Sequence, residues 1–462
     1  MTSATSAQLC RITVSGPSGR ADLAVPVSTT VAALLPTLVR HVVREEPDEY
    51  GSWALQRLGE APMDPDGTPE TLDWLDGEQF HVVRAEDPLP ELDFDDIADG
   101  MATAVNRQGN RWNETVNRRL FLGLTVLVFG AIGAVLFEGS SATISSVSAA
   151  SLAAVLFTTA VLVARILRDR GIAAISGLAG CVFAGLAGLI GVEGVPFVLG
   201  PVGVLIGGIA MAGTASLLLV AQRILAPELP IVPFGVAAVA GLGAVMAMWL
   251  HLGVGLTPHQ NATIVLTTFL MVTLFAPKLA TRAARLRGPQ LPRTADELQI
   301  DVEPEPAALV VEQTGHADRY LSVLAIGASL VFAVAFRFLI VEPGWVEYTV
   351  TGLLTALVLL RSREFLNIGQ RIALVLAGTT GAVSFVLSML AWFTPVWRGV
   401  GLVLLLGVAL LLVLAALRPS HRRLLPIWAH LANVLETCAA VALVPFLLQV
   451  LGIFAWARGL AG

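Results

Sequence analysis

The chain has 462 residues, of which 55% are hydrophobic and 14% charged, and its mean hydropathy is +0.75. Soluble domains carry about 25% charged residues, so a chain this long and this apolar is not a water-soluble protein. A formal charge of −6, from 29 Lys+Arg against 35 Asp+Glu, excludes a basic nucleic-acid binder. The apolar residues are unevenly spread: 1–118 read as a soluble module, and nearly everything from Arg119 onward reads as membrane. The three cysteines, Cys10, Cys181 and Cys438, are an odd number without zinc spacing, so neither a disulfide framework nor a structural metal is expected.

Residues 1–10 contain neither a basic n-region nor an apolar core, so no secretory signal is expected and the module should stay in the cytoplasm. Residues 10–15 and 22–27 alternate apolar and polar around Gly16-Pro17-Ser18-Gly19, which predicts a β-hairpin. Ser28-Thr29-Thr30 offers a helix cap before Val31, Leu34, Leu35, Leu38, Val39 and Val42, which recur at helical spacing. A third strand is predicted at Trp53–Leu58, and a last one at Gln79–Arg84 after Leu75 and Asp76-Gly77. Hairpin, helix, short strand and this closing strand resemble the ubiquitin-like β-grasp fold over about residues 8–85; another small α+β fold is the alternative. Ala85-Glu86-Asp87-Pro88 follows the last strand in place of a Gly-Gly end, so protein docking is expected and conjugation is not. The module is therefore bounded at 1–85, with 86–118 as an acidic linker and a helix leading to the membrane. The acidic stretch 86–99 interleaves Leu92, Phe94 and Ile97, and reads either as a solvated tether or as a docking segment centred on Phe94, Asp95 and Asp96.

A transmembrane helix needs roughly 20 predominantly apolar residues. Eleven windows qualify: 120–138, 144–164, 171–192, 198–220, 231–252, 259–278, 320–341, 346–361, 372–393, 397–417 and 433–457. From a cytoplasmic N-terminus, alternate loops then hold Arg165, Arg168 and Arg170; Arg223; Lys278, Arg282, Arg285, Arg287 and Arg293; Arg361, Arg363 and Arg371; and Arg418, Arg422 and Arg423. This obeys the positive-inside rule and puts the C-terminus outside. The long inner loop, at about 279–318, is basic and then acidic, and reads equally as a second contact surface or a plain connection.

The spans carry little chemistry. Glu138, Glu193, Glu342, Glu347 and Glu436 sit at span ends, and Arg337 lies close enough to the outer end of its helix to snorkel. Asn261, Gln449 and Pro445 suit packing or a kink and form no relay. The only lysine, Lys278, lies outside any phosphate-cradling motif, His251 and His259 lack a third ligand, and no Ser/His/Asp arrangement is recognisable. No enzymatic activity, cofactor or metal is expected. Small residues abound instead: Gly203 and Gly207 form a GxxxG pair, Ala184/Gly188 and Gly243/Ala247 repeat the spacing, and glycines recur at 171, 177, 180, 185, 188 and 191. Such faces let helices approach closely, within one chain or between chains.

Ubiquitin-like module, acidic linker and eleven spans together resemble the EccD family, the polytopic membrane component of the actinobacterial ESX (type VII) secretion machinery. The Arg-dominated, Ala/Gly/Val-rich composition suits a high-GC actinobacterium. The resemblance implies an inner-membrane scaffold assembled with EccB, the ATPase EccC and EccE. It further implies that the chain pairs with a second copy to enclose a vestibule that membrane lipid can occupy, and that the ubiquitin-like domains pack on EccC and EccE. The compact length leans toward the system linked to iron and zinc acquisition. A permease with a regulatory N-terminal domain is the alternative, and would need a polar cavity at the bilayer midplane; a membrane-bound enzyme would need clustered polar residues at one face.

Overall fold

A computed structural model of the chain describes residues 9–43, 53–58, 60–85, 112, 114–139, 141–194, 200–286, 306–341, 344–417 and 426–460. They fall into two compact units, Met1–Asn113 and Glu114–Gly462.

In the first unit β1 (Leu9–Gly16) and β2 (Gly19–Pro26) form the hairpin, with Pro17-Ser18 as its two-residue turn. Then come α1 (Val31–Val42), a short β3 (Trp53–Gln56) and β4 (Glu78–Arg84). The sheet order is β2-β1-β4-β3, with β1 and β4 parallel and the other pairs antiparallel. This is the ubiquitin-like β-grasp arrangement. Alternation puts Cys10, Ile12 and Val14 of β1, Leu55 of β3 and Phe80 and Val82 of β4 on one face, where α1 covers them with Val31, Leu34, Leu38 and Val42. Trp74 closes the core, its ring 4.3 Å from that of Phe80. The Asp76-Gly77 step sets the register of the parallel pair. Gly77 adopts φ +86°, its N–H donates to the Arg11 carbonyl at 2.7 Å, and the Asp76 carboxylate accepts from the Arg11 N–H at 2.8 Å.

Two details of this unit differ from the sequence reading. Thr30 occupies the N-cap of α1 without a side-chain cap bond. The first helical N–H groups, of Val31 and Ala32, donate instead to the carbonyls of Gly67 and Pro65, so a distant loop supplies the partners that a capping hydroxyl would have offered. The third strand ends at Gln56, two residues short of the expected Leu58.

The second unit is helical: α2 (Glu114–Phe137), α3 (Ala142–Leu162), α4 (Arg170–Glu193), α5 (Pro201–Ile224), α6 (Ile231–Val254), α7 (Pro258–Ala283), α8 (Ala307–Ala335), α9 (Trp345–Arg361), α10 (Ile368–Trp392), α11 (Pro395–Ala416), α12 (Pro426–Val450) and the short α13 (Ile453–Leu460). Ten of the described helices are long and apolar enough to cross a membrane. The eleventh window, 346–361, is the 17-residue α9.

Two windows are corrected. The window 320–341 belongs to a helix that begins at Ala307, because the polar turns 307–319 continue the helix beyond its apolar run; the loop expected at 279–318 is thereby helical at both ends. The window 433–457 straddles a break. α12 starts earlier, at Pro426, and Gly452, at φ +73°, separates it from α13.

Helices α3 to α6 pack in chain order, one against the next. Beyond α6 the order changes: α8 lies against α6, α7 and α10, while α9 lies between α10 and α12. One buried apolar cluster joins Ala160, Ala173, Ala215, Leu218 and Phe234 in the first half. A larger one joins Leu266, Phe332, Phe336, Leu354 and Leu374 in the second.

Candidate functional site

Side-chain volume decides how closely the membrane helices approach, and glycine marks the tightest crossings. At the α4–α5 crossing a Cβ on Gly207 would stand 2.7 Å from the Gly185 carbonyl oxygen, and one on Gly188 would stand 3.1 Å from the Gly207 nitrogen. Gly208 and Gly241 make the next crossing, α5 on α6, each facing the other's carbonyl oxygen at 3.1 and 2.9 Å. Gly243 admits Val331 of α8 at 2.5 Å. Gly203, read in the sequence as the partner of Gly207, has a side chain of α4 and no helix backbone nearest its vacant Cβ. The space is filled by Glu193, whose Oε1 accepts the Gly203 N–H at 2.7 Å and so caps the start of α5 from the end of α4.

Polar groups clamp the helix ends. Asp169 caps α4 by accepting from Gly171 N and Ile172 N, and also accepts from Arg118 Nη2 of α2 at 2.6 Å. The Ile172 N–H foremost holds this carboxyl below its ordinary range, against the opposing effect of burial and with the help of Arg118. Gln370 of α10 donates to Asp318 Oδ1 at 2.9 Å and to Ser322 Oγ at 2.8 Å, both on α8. Arg361 and Arg363, at the end of α9, share the carboxylate of Glu436 on α12. Sequence reading noticed Glu436 and both arginines singly, but nothing local relates residues more than 70 positions apart; the Gln370 clamp gave no signal at all.

Three of the polar residues weighed in the sequence have structural partners. Asn261 Nδ2 donates to the Ala247 carbonyl at 2.7 Å, tying α7 to α6. The His251 Nδ1 lies 2.9 Å from the Leu256 carbonyl, and His259 lies beside the Thr257 hydroxyl. Among the described residues, no group of three or more His, Cys, Asp and Glu side chains could hold a metal ion. Phe94, Asp95 and Asp96 lie outside the described residues.

Among the described residues, two membrane helices bury almost nothing within the chain. No residue of α11 is buried, and its main contact is with α10 alone. In α2 only Gly133 is buried. On α11, Val403, Leu406, Leu410 and Leu412 are all exposed, as are Trp428 and Leu435 on α12. Such faces suit lipid or neighbouring membrane helices, and suit water badly.

Fold and surfaces together define a class: a multi-pass membrane protein that carries a ubiquitin-like domain. The family of EccD-like transmembrane domains matches residues 117–460, and the chain belongs to that family. Residues 9–82 match the family described as YukD, of the WXG100 protein secretion system. No curated protein matches the chain. Among solved structures the chain is similar to protomer 1 of the ESX-3 core complex, at 18% identity and a TM-score of 0.59, covering 97% of this chain and all of that one. It is also similar to a chain of an ESX-5 inner membrane complex, at 18% identity and a TM-score of 0.54, covering 89% of this chain and all of that one. Equal identity to both assigns the chain to neither system, and at this level the likeness speaks for the fold.

Proposed function

We propose that the chain is a structural membrane scaffold of a type VII (ESX) secretion complex, residing in the inner membrane. The observation that carries this reading is family membership over residues 117–460, joined in one chain to a YukD-like domain at 9–82. The similar structures, a protomer of an ESX-3 core complex and a chain of an ESX-5 inner membrane complex, support residence in a membrane assembly. The chain works as a frame: the glycine crossings hold α4, α5, α6 and α8 in close contact, and the flank helices meet neighbours.

The partners proposed are EccB, the ATPase EccC and EccE, with a second copy of this chain enclosing a lipid-containing vestibule. The ubiquitin-like domain serves as the cytoplasmic docking element, and Phe94, Asp95 and Asp96 as a further contact on a basic partner surface. The arginines support a cytoplasmic N-terminus and an external C-terminus, since Arg165, Arg168, Arg223, Arg282, Arg361 and Arg371 all fall at helix ends on one side of the alternation. Family membership favours this scaffold over the permease alternative.

Charge reversal of Asp95 and Asp96 in the full chain tests the docking segment. Loss of one co-purifying partner, with the membrane domain still inserted, is expected; retention of every partner returns the segment to a plain tether.

A further inference from the structure

The junction of α7, α9 and α12 holds more cationic charge than the protein itself neutralises. Arg363 is well partnered: its Nε donates to the Leu360 carbonyl at 2.8 Å, and its Nη2 to Asn433 Oδ1 at 3.0 Å and Glu436 Oε2 at 3.1 Å. Arg361 is not. Its Nη1 stands 3.7 Å from Glu436 Oε1, its Nη2 reaches the Leu274 carbonyl only at 3.4 Å, and its buried Nε has no partner. The Arg361 side chain is nonetheless only 13% exposed. A guanidinium carries five N–H donors in a fixed fork, so most of this one's capacity is unmet. Lys278 lies one helical turn beyond Leu274 on α7 and is exposed. Glu364, the other acid of the turn after α9, is exposed and pairs with neither arginine, and His430 lies toward the start of α12. Two arginines thus share one carboxylate, with Lys278 a helical turn from the Leu274 carbonyl that Arg361 reaches.

The position of the cluster in depth is the second observation. At 1.5 Å per residue the 17 residues of α9 span about 25 Å, less than the roughly 30 Å of a hydrocarbon core. Leu274 precedes the end of α7 by nine residues and Glu436 follows the start of α12 by ten, so the cluster is recessed about 14 Å from the ends of its longer neighbours. Past the arginines, Leu366 is 95% exposed and Ile368 76%, apolar side chains that call for a lipid environment. Local thinning of the bilayer is one way in which a short span is accommodated, and it would bring the headgroup layer toward the guanidinium.

We propose that this junction binds the phosphate of an anionic phospholipid through the under-used terminal N–H groups of Arg361, with Arg363 and Lys278 supplying charge. Arginine suits the task because two N–H groups meet two phosphate oxygens in one plane. Glu436 competes for the same donors and keeps the affinity moderate. The site depends on the span geometry alone, so it stands independently of the secretion role.

The test uses the full chain purified in mild detergent. Lipid adducts are read by native mass spectrometry, and thermal unfolding is followed while phosphatidylglycerol, phosphatidylcholine or inorganic phosphate is titrated. Phosphatidylglycerol is expected to be retained and to raise Tm, with phosphatidylcholine and free phosphate far weaker. Arg361→Gln should weaken phosphatidylglycerol binding about tenfold, Lys278→Gln less, and Arg361→Lys should recover part of the loss. Glu436→Gln should tighten binding by removing the internal competitor. If Arg361→Gln fails to fold, the Arg361→Lys and Glu436→Gln arms decide. Equal retention of the two lipids, binding of free phosphate as strong as that of lipid, or weaker lipid binding by Glu436→Gln would each overturn the proposal.

Discussion

A Cβ added at Gly207 meets a backbone oxygen of the neighbouring helix, which has no rotamer to give way. Gly207→Ala should therefore push α4 from α5 and destabilise the membrane unit by about 1–3 kcal/mol, as overpacking does elsewhere. Gly213 lies on the same helix with nothing within 4 Å of its missing Cβ. Gly213→Ala should be neutral or stabilising by up to about 1 kcal/mol through helix propensity. Thermal unfolding of the two variants in detergent reads the contrast, and an equal effect would mean that the crossing does not depend on the missing side chain. In the ubiquitin-like unit, Phe80 is fully buried beneath α1 and packed against the tilted ring of Trp74. Phe80→Ala should cost about 3–5 kcal/mol and expose the N-terminal unit to limited proteolysis while the membrane fragment persists. Resistance equal to wild type would show that this core does not hold the unit. These residues also show where sequence suffices. The strand that carries Phe80 was legible, whereas the GxxxG spacing paired Gly203 with Gly207 although the first makes room for the Glu193 side chain and only the second meets helix backbone.

The start of α4 is fixed by one carboxylate that takes two backbone N–H groups and the Arg118 guanidinium together. Because the Asp169 carboxyl is held below its ordinary value, the stabilisation is fully present above the unfolded value of about 3.9 and is lost as pH falls through the lower folded value. Asp169→Asn should lower Tm by a constant amount between about pH 5 and 8, with the gap closing below about pH 4. A gap that persists in acid would show that the charge is irrelevant. For α11 the expectation is reversed: with no buried residue, Leu406→Ala and Leu410→Ala should change unfolding by no more than about 0.5 kcal/mol yet reduce the assembled fraction on native gels. Unchanged assembly would leave that face to lipid. At this scale apolar runs told most of the story, since an unbroken run of bilayer length admits little besides a helix. What they missed is helix that outlives its apolar run, as in 307–319, and a break hidden within one, at Gly452. Hydrophobicity reports burial in lipid, and hydrogen bonding along the backbone continues wherever no residue interrupts it.

At the scale of the molecule, a ubiquitin-like unit and a helical membrane unit form two separately packed bodies in one chain. Each has its own apolar core, so removal of residues 1–85 should leave the membrane unit inserted and weaken the cytoplasmic associations. Co-purification of every partner after that deletion would show that docking resides elsewhere. The order of helices beyond α6 was not legible, because an apolar stripe states that a face is buried and leaves the neighbour unnamed; α8 between α6 and α10 emerges only from long-range packing. The flank helices, which have few contacts within the chain, are what a component made for assembly would present. The most direct measurement is a mild-detergent pull-down of the tagged chain from native membranes, with mass spectrometry of what accompanies it and native-gel sizing. The scaffold account predicts a megadalton-scale species that contains an FtsK-like ATPase. A lone chain or simple dimer, free of any ATPase, would contradict it.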